Sequence, residues 1–345
     1  MKTLSVIIPV YNCEGFLENC VSSIAEVNAY CSSMRVSEII IVDDGSTDGS
    51  SELCNRIAAE RSSDNCAITV IHQNNMGVSS ARNAGLDVAT GMFIFFVDSD
   101  DTVDSRKLAE LMQEVGREDQ IDMAVFGMSF DYYFGRKIYR QDVALPSVEG
   151  VKSNEECAAM LLELFQNNAV SSLCNKLIKK NVIKDSGIRL NEGMFLYEDL
   201  EFSLRVLARC KKIYFCDEPI YHYRQAQDEG NVGRRLKRVK HIPEIVDKIE
   251  SALTPFGGND EIVTALYYVL AKEKINCASR GETKIVCRDF RDWADAHRLA
   301  EKASENEFGR LLYEQRKIKL LIRKQKTKIR HTIAVRVKKT ITHFR

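Results

Sequence analysis

The stretch MFIFFVDSDD, residues 92–101, closes an apolar run with Asp98, Asp100 and Asp101, three carboxylates within four positions. Like charges that close repel by roughly a few kcal/mol in a poorly hydrated setting, unless something positive joins them. A hard divalent cation such as Mg2+ or Mn2+ meets that need. It takes oxygen ligands, and where one or two carboxylates hold it, water and phosphate oxygens fill the other positions. Asp98-Ser99-Asp100 offers a partial cage of that kind. The competing task for Asp100, Asp101 or Asp104 is to cap the helix expected next, whose first turn favours negative charge.

Two further polar stretches carry chemistry. VDDGSTDGS, residues 42–50, ends an apolar run in Asp43, Asp44 and a flexible turn. An acid there can accept from an imide or a ribose hydroxyl, while Ser46, Thr47 or Asp48 can instead cap a helix. NNMGVSSARNAGLDVATG, residues 74–91, carries Arg82 and Asn83 into the first turns of a helix. A guanidinium at that point can offset carboxylates or contact a diphosphate, or pair with a neighbouring acid on the helix surface. The glycines form neither G-x-G-x-x-G nor G-x-x-x-x-G-K-[ST], so phosphate has to be held by metal and side chains.

Positioning these groups requires strands that end side by side. Residues 3–10, 38–43, 66–72, 92–97 and 121–126 are short apolar runs rich in β-branched residues, and the stretches near 14–29, 48–62, 78–90 and 104–117 have apolar residues at helical spacing. This βαβα rhythm predicts an α/β fold, a Rossmann-like, mostly parallel sheet with helices on both faces, followed by a mainly helical C-terminal region. Ligands of such sheets bind at the carboxyl ends of the strands. Tyr11 and Asn12, Asp43 to Ser46, Gln73 to Asn75, and Asp98 to Asp101 all fall there. Beyond, 129–150 suits a hairpin or loop, 153–167 and 194–210 read as helices, KKIYFCDEPIYHYR as a strand, and 235–310 as largely helical.

SVIIPVYN, IVDDGSTDGS, NMGVSSARNAGLDVATG and FIFFVDSDD, in this order and spacing, resemble the nucleotide-binding half of family 2 glycosyltransferases of the GT-A fold. The resemblance spans residues 3–104, with a weaker continuation to about 225. It implies transfer of a sugar from a UDP-sugar with inversion at the anomeric carbon, and Mn2+ or Mg2+ on the diphosphate. Pro9, Tyr11 and Asp44 resemble the residues around the base, with Asp44 accepting from the uracil imide and Tyr11 stacking on the ring. Asp98 and Asp100 resemble the D-x-D pair, with Asp100 the direct metal ligand and Asp98 nearer the ribose; Arg82 resembles the basic contact near the diphosphate. LNEGMFLYEDLEFSLRVL resembles the Glu-Asp motif at a helix start, which makes Asp199 the general base and Glu198 its supporter. Asn175, Lys176 and His222 resemble positions lining the acceptor side or the diphosphate.

The implied organisation is a GT-A domain over 1–225, made of a nucleotide-sugar half (1–128) and an acceptor-side half (129–225), then a helical region over 226–314 and a basic amphipathic tail over 315–345. A metal-dependent nucleotidyltransferase would show a glycine-rich loop where VYNCEGF stands. A dehalogenase-like phosphatase would carry its acid pair after the first strand, and a response-regulator-like module would end near 125 residues. A catalytically silent nucleotide-sugar-binding protein is the remaining rival.

With 345 residues, 45% of them hydrophobic and 28% charged, composition is that of a globular protein. The eleven cysteines show no C-x-x-C pair, which favours free thiols over a disulfide framework or zinc site. The formal net charge of zero hides an asymmetry: residues 316–345 hold 12 Lys and Arg and no acid, and the residues before them 37 basic against 49 acidic side chains. Ile318, Leu321, Ile322, Ile329, Ile333 and Val337 fall on one helical stripe of that tail, as in a helix lying on an anionic bilayer. Docking on the acidic body or non-specific contact with nucleic acid are the competing uses, and no specific nucleic-acid partner is expected. No run of 18 apolar residues suggests a spanning helix. The family resemblance adds a glycan or lipid-linked acceptor and a cytoplasmic, peripheral location at the inner face of the cell membrane.

Overall fold

The computed structural model describes residues 2–31, 34–135, 137–225, 242–277 and 280–297. The tail at 315–345 and the boundary region at 226–235 lie outside the described residues. The chain divides into two compact units, 1–193 with 198–227, and 194–197 with 228–345.

In the first unit, β1 (Lys2–Val10) is followed by α1 (Leu17–Ala25), β2 (Met34–Asp43), α2 (Ser50–Arg61), β3 (Ala67–His72), α3 (Val78–Val88), β4 (Phe93–Phe96), a short β5 (Thr102–Val103) and α4 (Ser105–Arg117). Then come β6 (Met123–Phe134), β7 (Lys137–Ala144), β8 (Gly150–Ser153), the short helices α5 (Asn154–Ala159) and α6 (Leu161–Gln166), β9 (Lys176–Lys179), α7 (Lys180–Ser186), α8 (Glu198–Leu207) and β10 (Lys212–Gln225). One ten-stranded sheet holds them in the order β3-β2-β1-β4-β9-β6-β10-β5, with β7 on β6 and β8 on β10.

The sheet is parallel from β3 through β2 and β1 to β4 and again between β6 and β10. Every residue of β1 from Leu4 to Val10 is buried, as expected of a strand covered on both faces. Leu4, Val6, Ile8 and Val10 meet the apolar stripe of α1 (Leu17, Cys20, Val21, Ile24) and that of α4 (Leu108, Leu111, Met112, Val115). Each such side chain stabilises the fold by about 2 kcal/mol relative to exposure. The strand predicted at 121–126 is β6, and β9 lies between it and β4 in the sheet, antiparallel to both. Its four residues are too few for a periodicity to stand out, and Lys176, Leu177 and Ile178 are buried regardless of polarity.

The predicted helix over 153–167 is two pieces that meet at Met160. The segment 129–150 is the hairpin of β6 and β7. In the second unit α9 (Ile242–Leu253), α10 (Asp260–Cys277) and α11 (Arg280–Ala296) are helical. There Ile245, Val246, Ile249 and Leu253 on α9, Leu266 and Tyr267 on α10 and Phe290 and Trp293 on α11 are buried. No described helix is long and apolar enough to cross a membrane.

A polar knot ties β1, β2 and the α3–β4 turn. Glu38 accepts from Ser5 Oγ (2.6 Å), from the amide (2.6 Å) and hydroxyl (2.7 Å) of Thr90 and from the Gly91 amide (3.1 Å), which also donates to Ser5 Oγ (2.7 Å). Only glycine fits at 91, where a Cβ would stand 2.5 Å from Ser5 Oγ and 2.6 Å from its amide nitrogen. Burial alone would raise the Glu38 carboxyl, but these donors outweigh it and hold it below 4.5. The folded chain therefore binds fewer protons here than the unfolded chain, so this contribution is full above the unfolded value and is lost as pH falls through the folded one. Urea denaturation of the wild type should show this loss as pH falls below about 4.5, whereas Glu38→Gln should start about 1–3 kcal/mol lower and change less over that range.

Candidate active site

The rim formed by the carboxyl ends of β1, β2 and β3 is stitched before it can bind anything. Asn12, with φ of 53°, accepts the Thr47 amide on Oδ1 (2.7 Å), and the Gly49 amide donates to Glu14 (2.7 Å), so the loops after β1 and β2 hold one another. Asp44 is 4% exposed and accepts from the Gln73 side chain (2.7 Å) and from the amides of Met76 and Gly77 (2.8 Å each). A carboxylate offers about four acceptor positions, so three of these are used in fixing the loop before α3 and one is left. Gly45, with φ of +70°, lets that loop close, since a Cβ there would lie 2.8 Å from the Asn75 amide. Tyr11 stands beside this rim, half exposed at 51%.

The acids after β4 have separate tasks. Asp104 caps α4 by accepting the Lys107 amide (3.0 Å), which relieves the three upstream acids of capping. Asp101 is 1% exposed and accepts from the Tyr221 hydroxyl (2.6 Å) and the Arg224 amide (2.7 Å), tying the end of β4 to β10. The same Tyr221 oxygen accepts the Asp98 amide (3.0 Å). Asp98 takes Arg82 Nη2 at 2.8 Å. Asp100 is exposed to solvent by area yet recessed; incomplete hydration, then the charge of Asp98, push its carboxyl up to about 6. Burial, then Asp98 and Asp100, push Asp101 up as well. An all-oxygen set whose charged state is costly fits a hard divalent cation.

Arg82 lies within α3 at 3% exposure, and its second arm, Nη1, donates to Asp199 at the start of α8 (2.7 Å). Burial works against its charge, but Asp199 and then Asp98 outweigh it and hold the guanidinium ionised. Its Nε–H is buried with no hydrogen-bond partner among the described residues. The structure thus brings Asp98, Asp199 and Arg82 together, with Asp100 one residue beyond Ser99.

A family model described as glycosyl transferase family 2 matches residues 5–187. The chain belongs to that family. An uncharacterized glycosyltransferase, EpsJ of Bacillus subtilis, is 30% identical over 224 residues, 64% of this chain and 61% of EpsJ. The glycosyltransferase GlyG of Streptococcus pneumoniae is 30% identical over 264 residues, 72% of this chain and 79% of GlyG. The chain spans less than two thirds of EpsJ's length. Among solved structures, residues 1–349 of S. aureus TarS, in complex with UDP-GlcNAc, superpose with a TM-score of 0.62 at 17% identity, covering 95% of this chain and 92% of that one; the likeness is one of fold.

Within this family 2 domain the remaining expected positions fall differently. Lys176 is fully buried, and its ammonium donates to the carbonyls of Ala169 (2.7 Å) and Ser172 and to Asn175 Oδ1 (2.8 Å). Its three hydrogens are taken by these acceptors, so Lys176, expected to line the acceptor side or the diphosphate, here ties the 169–175 loop together. Burial pushes that ammonium down to about 7. Asn175 is buried too, donating to the Phe126 carbonyl (3.2 Å). His222 lies on β10 opposite Thr102, with Nδ1 3.2 Å from Asp131, a buried acid that also accepts from Ser129 (2.5 Å) and Gln141 (2.9 Å). Pro9 is in β1 and Glu198 is buried in the first turn of α8. Tyr221, Asp131 and Arg224 escaped sequence reasoning. Arg224 lies over the rings of Phe16 (4.4 Å) and Tyr133 (3.8 Å), a clamp that no linear spacing signals.

Replacing Arg82 leaves two acids facing one another without their cation. Arg82→Met should lower unfolding free energy by about 3 kcal/mol. Combined with Asp199→Asn in a double-mutant cycle, it should show coupling of about 1 kcal/mol or more, read by urea denaturation.

Proposed function

We propose that this protein transfers a sugar from a UDP-sugar to a hydroxyl of a glycan or lipid-linked acceptor, with inversion at the anomeric carbon. The observation that carries this reading is the fork of Arg82, which brings Asp98 at the end of β4 and Asp199 at the start of α8 onto one guanidinium. A family 2 domain supplies the general class, and the UDP-GlcNAc bound by TarS supports a uridine nucleotide as donor.

Tyr11 offers an exposed ring on which a base can stack, and the one open acceptor position of Asp44 suits an imide N–H. Asp100, assisted by Asp98, would hold Mn2+ or Mg2+, which when bound neutralises the charge of the leaving diphosphate. Arg82 orients Asp199 by donating to its Oδ1, and the Arg82 Nε–H, without a partner among the described residues, is a donor for a diphosphate oxygen. Asp199 takes the acceptor's proton as the hydroxyl attacks from the face opposite the nucleotide, and the buried Glu198 beside it supports its position. The basic segment 316–345 would hold the enzyme at an anionic membrane surface, where the acceptor is carried.

Asp100→Asn should abolish the metal-dependent part of UDP binding measured by calorimetry with and without Mn2+, while the fold survives. Asp199→Asn should leave that binding intact and reduce transfer by about 10²–10⁴-fold. A fully active Asp199→Asn enzyme removes the assigned base, and a folded wild type without metal-dependent nucleotide binding removes the transferase reading. In sedimentation with phosphatidylserine vesicles, deletion of 316–345 should abolish co-pelleting while leaving UDP binding unchanged.

A further inference from the structure

The helical unit carries a set of groups that sugar transfer does not use. Asp247 and Glu250 are three residues apart on α9, so their carboxylates share one helix face. His297, just past α11, meets them, and one ligand atom from each of the three lies within 4.8 Å of the others. His297 Nδ1 is 2.8 Å from the carbonyl of Trp293, while Nε2 is 3.0 Å from Glu250 Oε2. A carbonyl can only accept, so Nδ1 carries the hydrogen and Nε2 is the nitrogen turned to the carboxylates. Two lone pairs that close require a proton or a metal ion between them. An imidazole whose second nitrogen is fixed on a backbone carbonyl is the form in which histidine ligates metals.

A second observation is independent of these three groups. Glu244, Asp247, Asp289, Asp292, Trp293 and His297 line an open pocket of about 420 Å³. Trp293 is 4% exposed, and among the described residues its indole N–H has no hydrogen-bond partner. The ring of Tyr267, 4.7 Å away, is fully buried, and its hydroxyl also has none. The Trp293 indole, in the wall of this acid-lined pocket, calls for an acceptor, and a metal-bound water supplies one.

We propose that Asp247, Glu250 and His297 bind a divalent transition-metal ion of the zinc class, pinning the end of α11 to α9. Imidazole with carboxylates suits zinc better than magnesium or calcium, and three protein ligands with one water complete four-coordination. Donor atoms around tetrahedral zinc stand roughly 3.3 Å apart at bond lengths of about 2.0 Å, a closure within reach of side-chain rotation at Asp247 and Glu250.

The test is calorimetric titration of ZnCl2 into full-length, chelator-stripped protein in excess MgCl2, which engages the Asp98–Asp100 region with a hard ion. The expected result is one zinc per chain in the wild type, with affinity at least tenfold weaker in His297→Gln and in Glu250→Gln at unchanged near-ultraviolet circular dichroism. X-ray absorption at the zinc edge of the wild type should show one imidazole ligand, so the proposal stands or falls even where a variant misfolds. No zinc site in the wild type, a site without imidazole, or affinity unchanged in folded variants but lost in Asp100→Asn would each overturn it.

Discussion

A guanidinium almost without solvent contact, shared between two carboxylates, fixes the working end of this molecule. Arg82 comes from α3, Asp98 from the end of β4, the next element in sequence, and Asp199 from the start of α8, more than 100 residues further on. Buried charge is tolerated only when paired in good geometry, so the pairing dictates how closely α8 approaches the parallel sheet. The loop that delivers α3 is itself set by Asp44, which accepts two backbone amides and a side-chain amide from 73–77. The position of Asp199 is thus tied, through Arg82 and Asp44, to the carboxyl ends of the parallel strands.

The crowding of acids after β4 is resolved by division of labour. Asp104 caps a helix, Asp101 bonds β10 from a buried position, Asp98 pairs with Arg82, and Asp100 is left at the surface with its charged form disfavoured. Tyr221 links two of these, donating to Asp101 and accepting the Asp98 amide, so a single hydroxyl in β10 holds the turn in shape. Around the rim Arg224 lies between Phe16 and Tyr133, and Asp131 gathers Ser129, Gln141 and His222. These supports come from β6, β7 and β10, the part of the domain whose family resemblance was weakest.

The α/β rhythm, the strand ends and the identity of the rim residues are legible in the order of the amino acids, because a strand buried on both faces reads as an apolar run and polar residues directly after it can only lie at its end. The five expected strands and four expected helices all exist in the structure. The helices are shorter at their ends, where solvent competes for terminal backbone groups. Family membership was legible from the same four stretches, since each sits within a few residues of its strand.

Pairing across distance, by contrast, is settled in the folded chain. The insertion of β9 between β4 and β6, the burial of Lys176 among three acceptors, the Tyr221–Asp101 bond and the meeting of His297 with Asp247 and Glu250 each join residues through space. Hydrophobic periodicity records which face of an element is buried, but not which partner lies against it. A polar side chain such as Lys176 reads as solvent-exposed until the carbonyls that take its hydrogens are brought around it.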